Sequence, residues 1–319
     1  MVSSKDKAFR FAKDFDPAIN KVYPLIEEAS GREYFRVSSE SSTFIVCLAS
    51  NTNQAEFYKL ATQLSKGGVR VPALLSIAND QMLSVQEDFG EDCLLYHPNP
   101  YSENLIEATL QQLSLLQHLP INDLPLLEPK DLIKQASLMQ SIFLESFLEL
   151  PRDQNLCAFL ENLALSVAAQ PQVNCHFDFE RRNLFLLDNG EIGIIDFQDL
   201  KRGPLGIDLA GFCIDHYLSV DRERINNCCS MLLKLEHFNF SDAELVEMVL
   251  MAALQRNARI LGVLSNLYLE QQRAFRLPDL EQILKNFIDI TSLLNLKEFS
   301  VLEDALKLIP TKVAAICKQ

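Results

Sequence analysis

One stretch decides how the chain is expected to fold: CHFDFERRNLFLLDNGEIGIIDF, residues Cys175–Phe197. Its first half has the form H-x-D-x-x-x-x-N, from His176 to Asn183. Short apolar runs then flank the turn Asp188-Asn189-Gly190, and the second run ends at Asp196. Apolar runs on either side of an Asn-Gly turn are typical of a two-stranded hairpin. The stretch therefore predicts a polar loop followed by a hairpin.

The polar residues of this stretch match what phosphoryl transfer requires, namely a base for the acceptor hydroxyl and metal ions on the phosphate oxygens. We predict that Asp178 is the base. Asn183 is predicted to supply a carbonyl oxygen, and Asp196 a carboxylate, to a magnesium ion. Magnesium prefers oxygen ligands and is usually held by one or two carboxylates plus substrate phosphates. The hairpin allows these two ligands to converge on one ion, while His176 is expected to shape the loop.

The composition limits the class of protein. The chain has 319 residues, of which 48% are hydrophobic and 23% charged, as in globular proteins of one large or two smaller domains. It has 29 Lys and Arg against 43 Asp and Glu, a net charge of −14. This balance argues against a nucleic-acid partner, whose phosphates need basic contacts, and against an anionic membrane. It does not exclude a small phosphate ligand, because a metal ion and a few local donors can hold one.

The chain also predicts a cytoplasmic protein. Its beginning, MVSSKDKAFRFAKDFD, lacks the apolar segment of a signal peptide. The apolar stretch Leu245–Leu264 is interrupted by Glu247, Arg256 and Arg259, which is typical of a buried helix rather than a membrane span. Eight scattered cysteines without zinc-ligand spacing indicate free thiols in a reducing compartment.

The order of elements predicts a strand-rich front and a helical back. Strands are expected at Val22–Ile26, Tyr34–Val37, Thr43–Leu48, Pro72–Ile77 and Met82–Val85, with a helix at Asn53–Ser65. Helical periodicity follows at Asn104–His118, Lys130–Leu150 and Gln154–Ala168, then two strands within Asn174–Leu187 and Ile192–Phe197, then further helices. We predict an α+β, two-lobed protein-kinase-like fold, with a small strand-rich N-lobe over residues 1–89 and a large helical C-lobe over residues 90–319.

The residues after the hairpin contain a second motif, G-P-x-x-x-D-L-A, at Gly203–Ala210. Its first four residues predict a turn. Asp208 is expected either to cap the following helix or to hold the catalytic loop through backbone contacts.

Together these motifs resemble the aminoglycoside phosphotransferase and choline kinase group. More narrowly, Asp178-Phe179, Arg182-Asn183-Leu184, and Ile195–Asp199 with Arg202-Gly203-Pro204 resemble the bacterial anomeric sugar kinases of cell-wall recycling. Those enzymes phosphorylate N-acetylmuramate and N-acetylglucosamine at the C1 hydroxyl. The segments Ala29–Val37, Gly68–Pro72 and Glu87–Gly90 are similar as well, so the resemblance covers most of the chain.

The resemblance implies ATP and Mg²⁺ as cofactors and assigns a nucleotide site to the first ninety residues. Ala29–Tyr34 would lie over the phosphates, with Ser30, Gly31 and Arg32 as binding residues. Arg32 or Arg36 would reach a phosphate, although a solvated surface position is an equal alternative for both. Gln86–Asp88 would be the hinge between the lobes, where the backbone of Glu87 and Asp88 holds the adenine edge.

The acceptor, by the same resemblance an amino sugar, is expected in the helical lobe beside Asp178. Arg181 could pair with an anionic acceptor, because guanidinium binds carboxylates well, but a surface ion pair is the alternative. Asp199 could touch the metal or the acceptor.

One departure from the kinase pattern stands out. Kinases place a lysine on the third strand, paired with a glutamate of the next helix. The expected third strand, Thr43–Leu48, contains no lysine, and Glu56 on the following helix has no evident partner.

Three other functions remain open on the sequence. One is phosphorylation of an aminoglycoside or another small alcohol, which the acidic net charge suits. Another is a nucleotide-binding pseudokinase, against which Asp178, Asn183 and Asp196 argue. The last is a metal-dependent hydrolase, which needs more carboxylate or histidine ligands than this cluster offers.

Overall fold

The computed structural model describes residues 3–25, 32–49, 54–78, 80, 82–236 and 238–318. The chain divides into two compact units. The first comprises residues 1–121 and 182–198, and the second comprises residues 122–181 and 199–319. The chain therefore passes from the second unit to the first within the decisive stretch, between Arg181 and Arg182. The functional boundary expected near residue 90 stays a prediction.

The first unit is built on an antiparallel sheet of five strands in the order β1-β2-β3-β5-β4. The strands are β1 Lys21–Pro24, β2 Arg32–Ser38, β3 Thr43–Ala49, β4 Leu74–Ile77 and β5 Leu83–Glu87. The helices of this unit are α1 Ser4–Phe15, α2 Gln54–Lys66 and α3 Glu103–His118. The expected strands and helices are confirmed to within two residues, with β4 starting at Leu74 and β5 running on to Glu87. Ile26, the expected end of the first strand, lies outside the described residues, and α1 was not predicted.

Alternation along the strands gives the sheet two different faces, because successive side chains point to opposite sides. Phe35 and Val37 of β2 lie in one core with Val46 of β3 and with Ala8 and Ala12 of α1. Their neighbours in sequence therefore point to the other face of the sheet. That face carries polar residues and forms part of the candidate site.

The predicted hairpin is also part of the first unit. It consists of β7 Leu184–Leu186 and β8 Ile192–Ile194, which pair antiparallel, and Gly190 of its turn has φ of 83°. The amide of Ile194 donates to the carbonyl of Arg70 at 2.7 Å. The hairpin is thus fixed to the segment that precedes β4.

The second unit is helical, with one short strand pair. Its elements are α4 Pro129–Leu138, a π-helix Met139–Phe147, α5 Gln154–Ala168, β6 Gln172–Cys175, β9 Lys201–Pro204, α6 Gly206–Cys213, α7 Arg222–Leu235, α8 Asp242–Gln271, α9 Leu280–Leu293 and α10 Ser300–Ile316. The 30-residue α8 packs against α4, the π-helix, α5, α6, α7 and α9. Among the described helices, none combines the length and apolar character that crossing a membrane would require.

Three elements differ from expectation. The helix expected at Lys130–Leu150 changes from α to π geometry at Met139. The prediction of a turn at Gly203–Gly206 is wrong for Gly203 and Pro204. These two residues belong to β9, in which Pro204 pairs with Gln172 of β6. The predicted strand Asn174–Leu187 is interrupted, since β6 ends at Cys175 and β7 starts at Leu184.

The eight cysteines are free thiols. Six of them are buried, and they are Cys47, Cys93, Cys175, Cys213, Cys228 and Cys229. Cys157 is partly buried, and Cys317, near the end of the chain, is exposed.

The close approach of α8 to the end of α4 yields a test of the packing. A Cβ at Gly262 would lie 2.3 Å from the Cβ of Leu138 and 2.7 Å from its carbonyl carbon. Since backbone cannot move aside cheaply, Gly262→Ala should lower the free energy of unfolding by about 1–3 kcal/mol in denaturant titrations. Val263→Ala, on the exposed side of the same helix, should change it by less than about 0.5 kcal/mol. Equal stabilities of the two variants would contradict this packing.

Candidate active site

The polar face of the sheet forms one wall of a cavity in the first unit. This cavity has a volume of about 230 Å³. Its apolar lining residues are Leu25, Ile45, Phe57, Pro72, Phe89, Phe185, Ile195 and Phe197. Its polar lining residues are Tyr34, Arg36, Gln86, Glu87, Asp88, Arg182, Asn183, Asp196 and Gln198. An apolar cleft with a few converging polar groups is the usual form of a small-molecule site.

The two predicted metal ligands meet in this cavity. Leu184 pairs with Ile194 across the hairpin, and the amide of Ile195 donates to the carbonyl of Asn183 at 3.0 Å. Asn183 and Asp196 therefore stand at the open end of the same hairpin, and both line the cavity. An amide oxygen and a carboxylate are ligands that suit Mg²⁺. The donor set thus fits this ion, with substrate phosphates completing its coordination.

The backbone at Asp196 has an uncommon conformation, with φ of 64°. Aspartate is one of the few non-glycine residues that adopt the left-handed region without large strain. Its carboxylate oxygen Oδ1 also accepts a short hydrogen bond from the Nε2 of Gln198. Gln198 therefore orients the carboxylate that is predicted to hold the metal.

The predicted hinge residues lie at the cavity wall, and their carboxylates are paired with arginines. Glu87 accepts two hydrogen bonds from Arg70, at 2.5 and 2.7 Å. Asp88 accepts one hydrogen bond from Nη2 of Arg36 at 3.0 Å, and its Oδ2 lies 2.7 Å from Nε of the same ion-paired side chain. The amide of Glu87 donates to the carbonyl of Ala73 at 2.9 Å, which commits that amide to the sheet. Adenine binding by this backbone stays a prediction.

The predicted phosphate loop is only partly visible. Ser30 and Gly31 lie outside the described residues, whereas Arg32 begins β2 and is buried. Arg32 and Arg36 were both considered for a phosphate contact. The guanidinium of Arg36 is already paired with Asp88, donates to Glu91 at 2.9 Å and donates to the carbonyl of Gly90.

In the second unit, the predicted base Asp178 is paired with an arginine of α8. Nη2 of Arg259 donates to Oδ1 of Asp178 at 3.2 Å, and both side chains are partly exposed. From the sequence, Arg259 is recognisable only as a charged residue that interrupts an apolar helix. Its position in a largely buried helix could have indicated an ion pair, because charged residues in such helices generally need a partner.

Asp208 holds the loop that carries Asp178 through backbone contacts, which is one of the two roles predicted for it. The fully buried carboxylate of Asp208 accepts the amides of His176 at 2.6 Å and Phe177 at 2.8 Å. Phe177 has φ of 72°, which is costly for a bulky residue, and the hydrogen bond at its amide stabilises that turn. Asp208 does not cap α6, whose N-cap residue is Leu205.

A second arginine of α8 fixes the same loop. Nη2 of Arg256 lies 2.8 Å from Oε1 of Glu180, and both side chains are buried. On the other side of Glu180, Nδ1 of His216 lies 3.4 Å from Oε2, and Nε2 of His216 lies 2.7 Å from Nη2 of Arg276. Since a guanidinium can only donate, Nε2 must accept, and His216 is therefore neutral with its proton on Nδ1.

The structure contradicts one interpretation of the loop. Arg181 was considered for binding an anionic acceptor. Its side chain is 6% exposed and pairs with the buried Asp215 at 2.6 Å, so it holds the fold together. Asp199 is exposed at the end of a short 3₁₀ turn, and its contact with metal or acceptor stays a prediction.

Comparison with known proteins gives a consistent picture. The model of the phosphotransferase enzyme family (APH) matches residues 22–226. Two curated relatives are named N-acetylmuramate/N-acetylglucosamine kinase. The relative from Pseudomonas aeruginosa is 28% identical to this chain, and the alignment covers 65% of this chain and 63% of the relative. The relative from Neisseria meningitidis serogroup B is 26% identical, and the alignment covers 61% of this chain and 62% of the relative. The chain thus spans less than two thirds of the length of these relatives.

Solved structures confirm the predicted fold class. A choline/ethanolamine kinase family protein from Mesorhizobium loti aligns with a TM-score of 0.63 at 14% identity, covering 91% of this chain and 94% of its own. A spectinomycin phosphotransferase solved with ADP and spectinomycin aligns with a TM-score of 0.63 at 13% identity, covering 96% and 98%. The predicted resemblance to the aminoglycoside phosphotransferase and choline kinase group is confirmed as well.

The neutral state of His216 has a consequence for acid stability. Burial lowers the pKa of His216 to about 4, below the value of about 6.5 for an unfolded chain. The unfolded state therefore binds more protons between these values, so this stabilisation is present above about pH 6.5 and is lost as the pH falls toward 4. Wild type should lose more free energy of unfolding than His216→Gln when titrated with denaturant from pH 7 to pH 4. The exposed-site control His118→Gln should follow wild type, and parallel curves for all three would contradict a buried neutral histidine.

Proposed function

The chain belongs to the phosphotransferase enzyme family, and we propose that it is an ATP- and Mg²⁺-dependent kinase that phosphorylates a hydroxyl of an amino sugar. The proposed acceptor is of the N-acetylmuramate/N-acetylglucosamine type that the names of its relatives carry. The proposed site of phosphorylation is the anomeric C1 hydroxyl. The buried thiols suit a reducing compartment, which supports action in the cytoplasm.

The cavity of the first unit is the observation that carries this proposal. Its apolar walls, among them Leu25, Ile45 and Phe185, suit a flat base such as adenine, and its polar end presents Asn183 and Asp196. A nucleotide has the same division, with an apolar ring at one end and metal-bound phosphates at the other. Bound magnesium would neutralise charge that develops on the phosphate oxygens.

Asp178 and Arg259 supply the second half of the proposed chemistry. Asp178 would accept the proton of the acceptor hydroxyl as its oxygen bonds to phosphorus and ADP departs. Arg259 restricts the orientation of that carboxylate through the hydrogen bond at Oδ1. Asp208 fixes the loop itself, so the base would be positioned before the substrate arrives.

The charge beside the base favours a sugar over an aminoglycoside. An aminoglycoside is a polycation, and because Asp178 is already paired with Arg259, this carboxylate offers it little net negative charge. A neutral amino sugar does not need a negative charge at this position. The net charge of −14 made a polycationic acceptor plausible from the sequence. That charge belongs to the whole chain, however, and does not describe the surroundings of Asp178.

Product analysis tests the proposal directly. The protein should convert ATP to ADP in the presence of Mg²⁺ and an N-acetylated amino sugar, and phosphorus NMR should show a sugar 1-phosphate. A phosphate ester at another hydroxyl would keep the kinase and overturn the anomeric assignment. Turnover with an aminoglycoside alone would overturn the sugar acceptor, and nucleotide binding without turnover of any acceptor would indicate a pseudokinase.

The role of Asp178 can be separated from nucleotide binding. Asp178→Asn should reduce kcat by roughly 10²–10⁴-fold, the usual contribution of a positioned general base. Its affinity for ADP, measured by calorimetry, should remain that of wild type, because the proposed nucleotide residues belong to the other unit. Asp188→Asn makes the same change in the exposed hairpin turn and should leave kcat unaltered. Full activity of Asp178→Asn would remove Asp178 as the base.

A further inference from the structure

The third strand lacks the lysine that kinases use, and the sheet shows which residue stands at its place. Tyr34, Arg36 and Ile45 line the cavity, and Ile45 pairs directly with Arg36 across the sheet. Cys47 pairs with Tyr34 and therefore points to the same face. The positions of β3 on the cavity side thus carry Ile45 and Cys47, neither of which can neutralise a phosphate.

Arg32 supplies a cation on that same face. It lies two residues before Tyr34 on β2, and its side chain is buried, with the residue 7% exposed. Its Cζ lies 4.9 Å from the ring centroid of Phe57 on α2. The positive charge of Arg32 also acts on Cys47, where it partly offsets the effect of burial, which raises the pKa of that thiol to about 11. Arg32 therefore lies beside β3 on its cavity side, where it pairs with Ala49 and acts on Cys47.

Within the part of the chain that the structure describes, no carboxylate pairs with Arg32, and its Nε has no hydrogen-bond acceptor. Glu56, at the expected helix, is exposed, while the next residue, Phe57, is buried and faces the arginine. Arg36 and Arg70 differ in this respect, because each is engaged by a carboxylate. A buried cation without an anion is costly, and a bound anion would remove that cost.

Phe57 also connects Arg32 to the metal ligand. Its ring stacks on Phe197 with centroids 5.2 Å apart and planes inclined by 6°, and Phe197 directly follows Asp196. The stacked rings of Phe57 and Phe197 therefore link the guanidinium of Arg32 to the residue next to Asp196.

We propose that Arg32, held over Phe57, is the phosphate-binding cation of this protein and takes the role of the absent third-strand lysine, with a cation–π contact in place of the lysine–glutamate pair. Its ligand would be the polyphosphate of the nucleotide. This inference rests on the proposed kinase function, because it assigns a residue to the same nucleotide site.

Calorimetry with two ligands tests this role without relying on turnover. Wild type should bind a non-hydrolysable ATP analogue with Mg²⁺ more tightly than adenosine. Arg32→Met should weaken binding of the analogue by about 10- to 100-fold, as expected when a charge-assisted hydrogen bond is lost, and leave adenosine binding unchanged. Arg32→Lys should recover part of the loss. Arg10→Met, which removes an exposed arginine from α1, should behave as wild type with both ligands.

The possible outcomes separate this inference from the proposed function. If wild type binds neither ligand, the kinase proposal fails. If wild type binds the analogue and Arg32→Met binds it equally well, the role of Arg32 is wrong and the kinase proposal stands. Thermal unfolding adds a second criterion, since removing a buried unpaired charge should not lower Tm. A large loss of Tm in both Arg32→Met and Arg32→Lys would mean that Arg32 serves the fold, and would overturn the inference.

Discussion

Two arginines of α8 determine where the loop of Asp178 sits. Arg256 and Arg259 lie one helical turn apart, and they pair with Glu180 and Asp178, which are two residues apart on the loop. A buried ion pair such as Arg256–Glu180 adds little net stability, because desolvation offsets the attraction, yet removing either partner is expensive. Its effect is therefore to exclude other positions of the loop. The rest of the second unit packs around α8, so this packing and the geometry of the loop depend on each other.

Local sequence signals predicted most of the fold and the centre of the site. The turn around Gly190, the apolar runs beside it and the polar residues at its open end are all close in sequence, and each feature has a local physical cause. Asp208 could also be anticipated, because a carboxylate in the first turn of a helix beside the loop can accept backbone amides. The family resemblance then agreed with the fold that these signals indicated.

The features that escaped prediction depend on contacts between distant segments. Arg259 lies 81 residues from Asp178, and nothing in either segment indicates the other. Arg181 was considered for substrate binding because a guanidinium binds carboxylates well. Its actual partner, Asp215, lies just after α6, 34 residues away, and nothing in the sequence indicated that pairing. The predicted last strand ended at Val85, two residues too early, because the polar residues Gln86 and Glu87 were interpreted as part of a linker. Gln86 pairs with Ile45 and faces the cavity rather than the core, whereas the carboxylate of Glu87 is bonded to Arg70.

The distribution of thiols makes the chain suited to selective chemical labelling. Burial raises the pKa of Cys47, Cys175, Cys213 and Cys229, so these groups stay protonated at neutral pH as well as shielded from reagents. The thiolate is the reactive form of cysteine. A maleimide dye would therefore attach first at the exposed Cys317. Folded protein could carry one fluorophore near its end without any cysteine being replaced, and a rise in dye uptake would report unfolding.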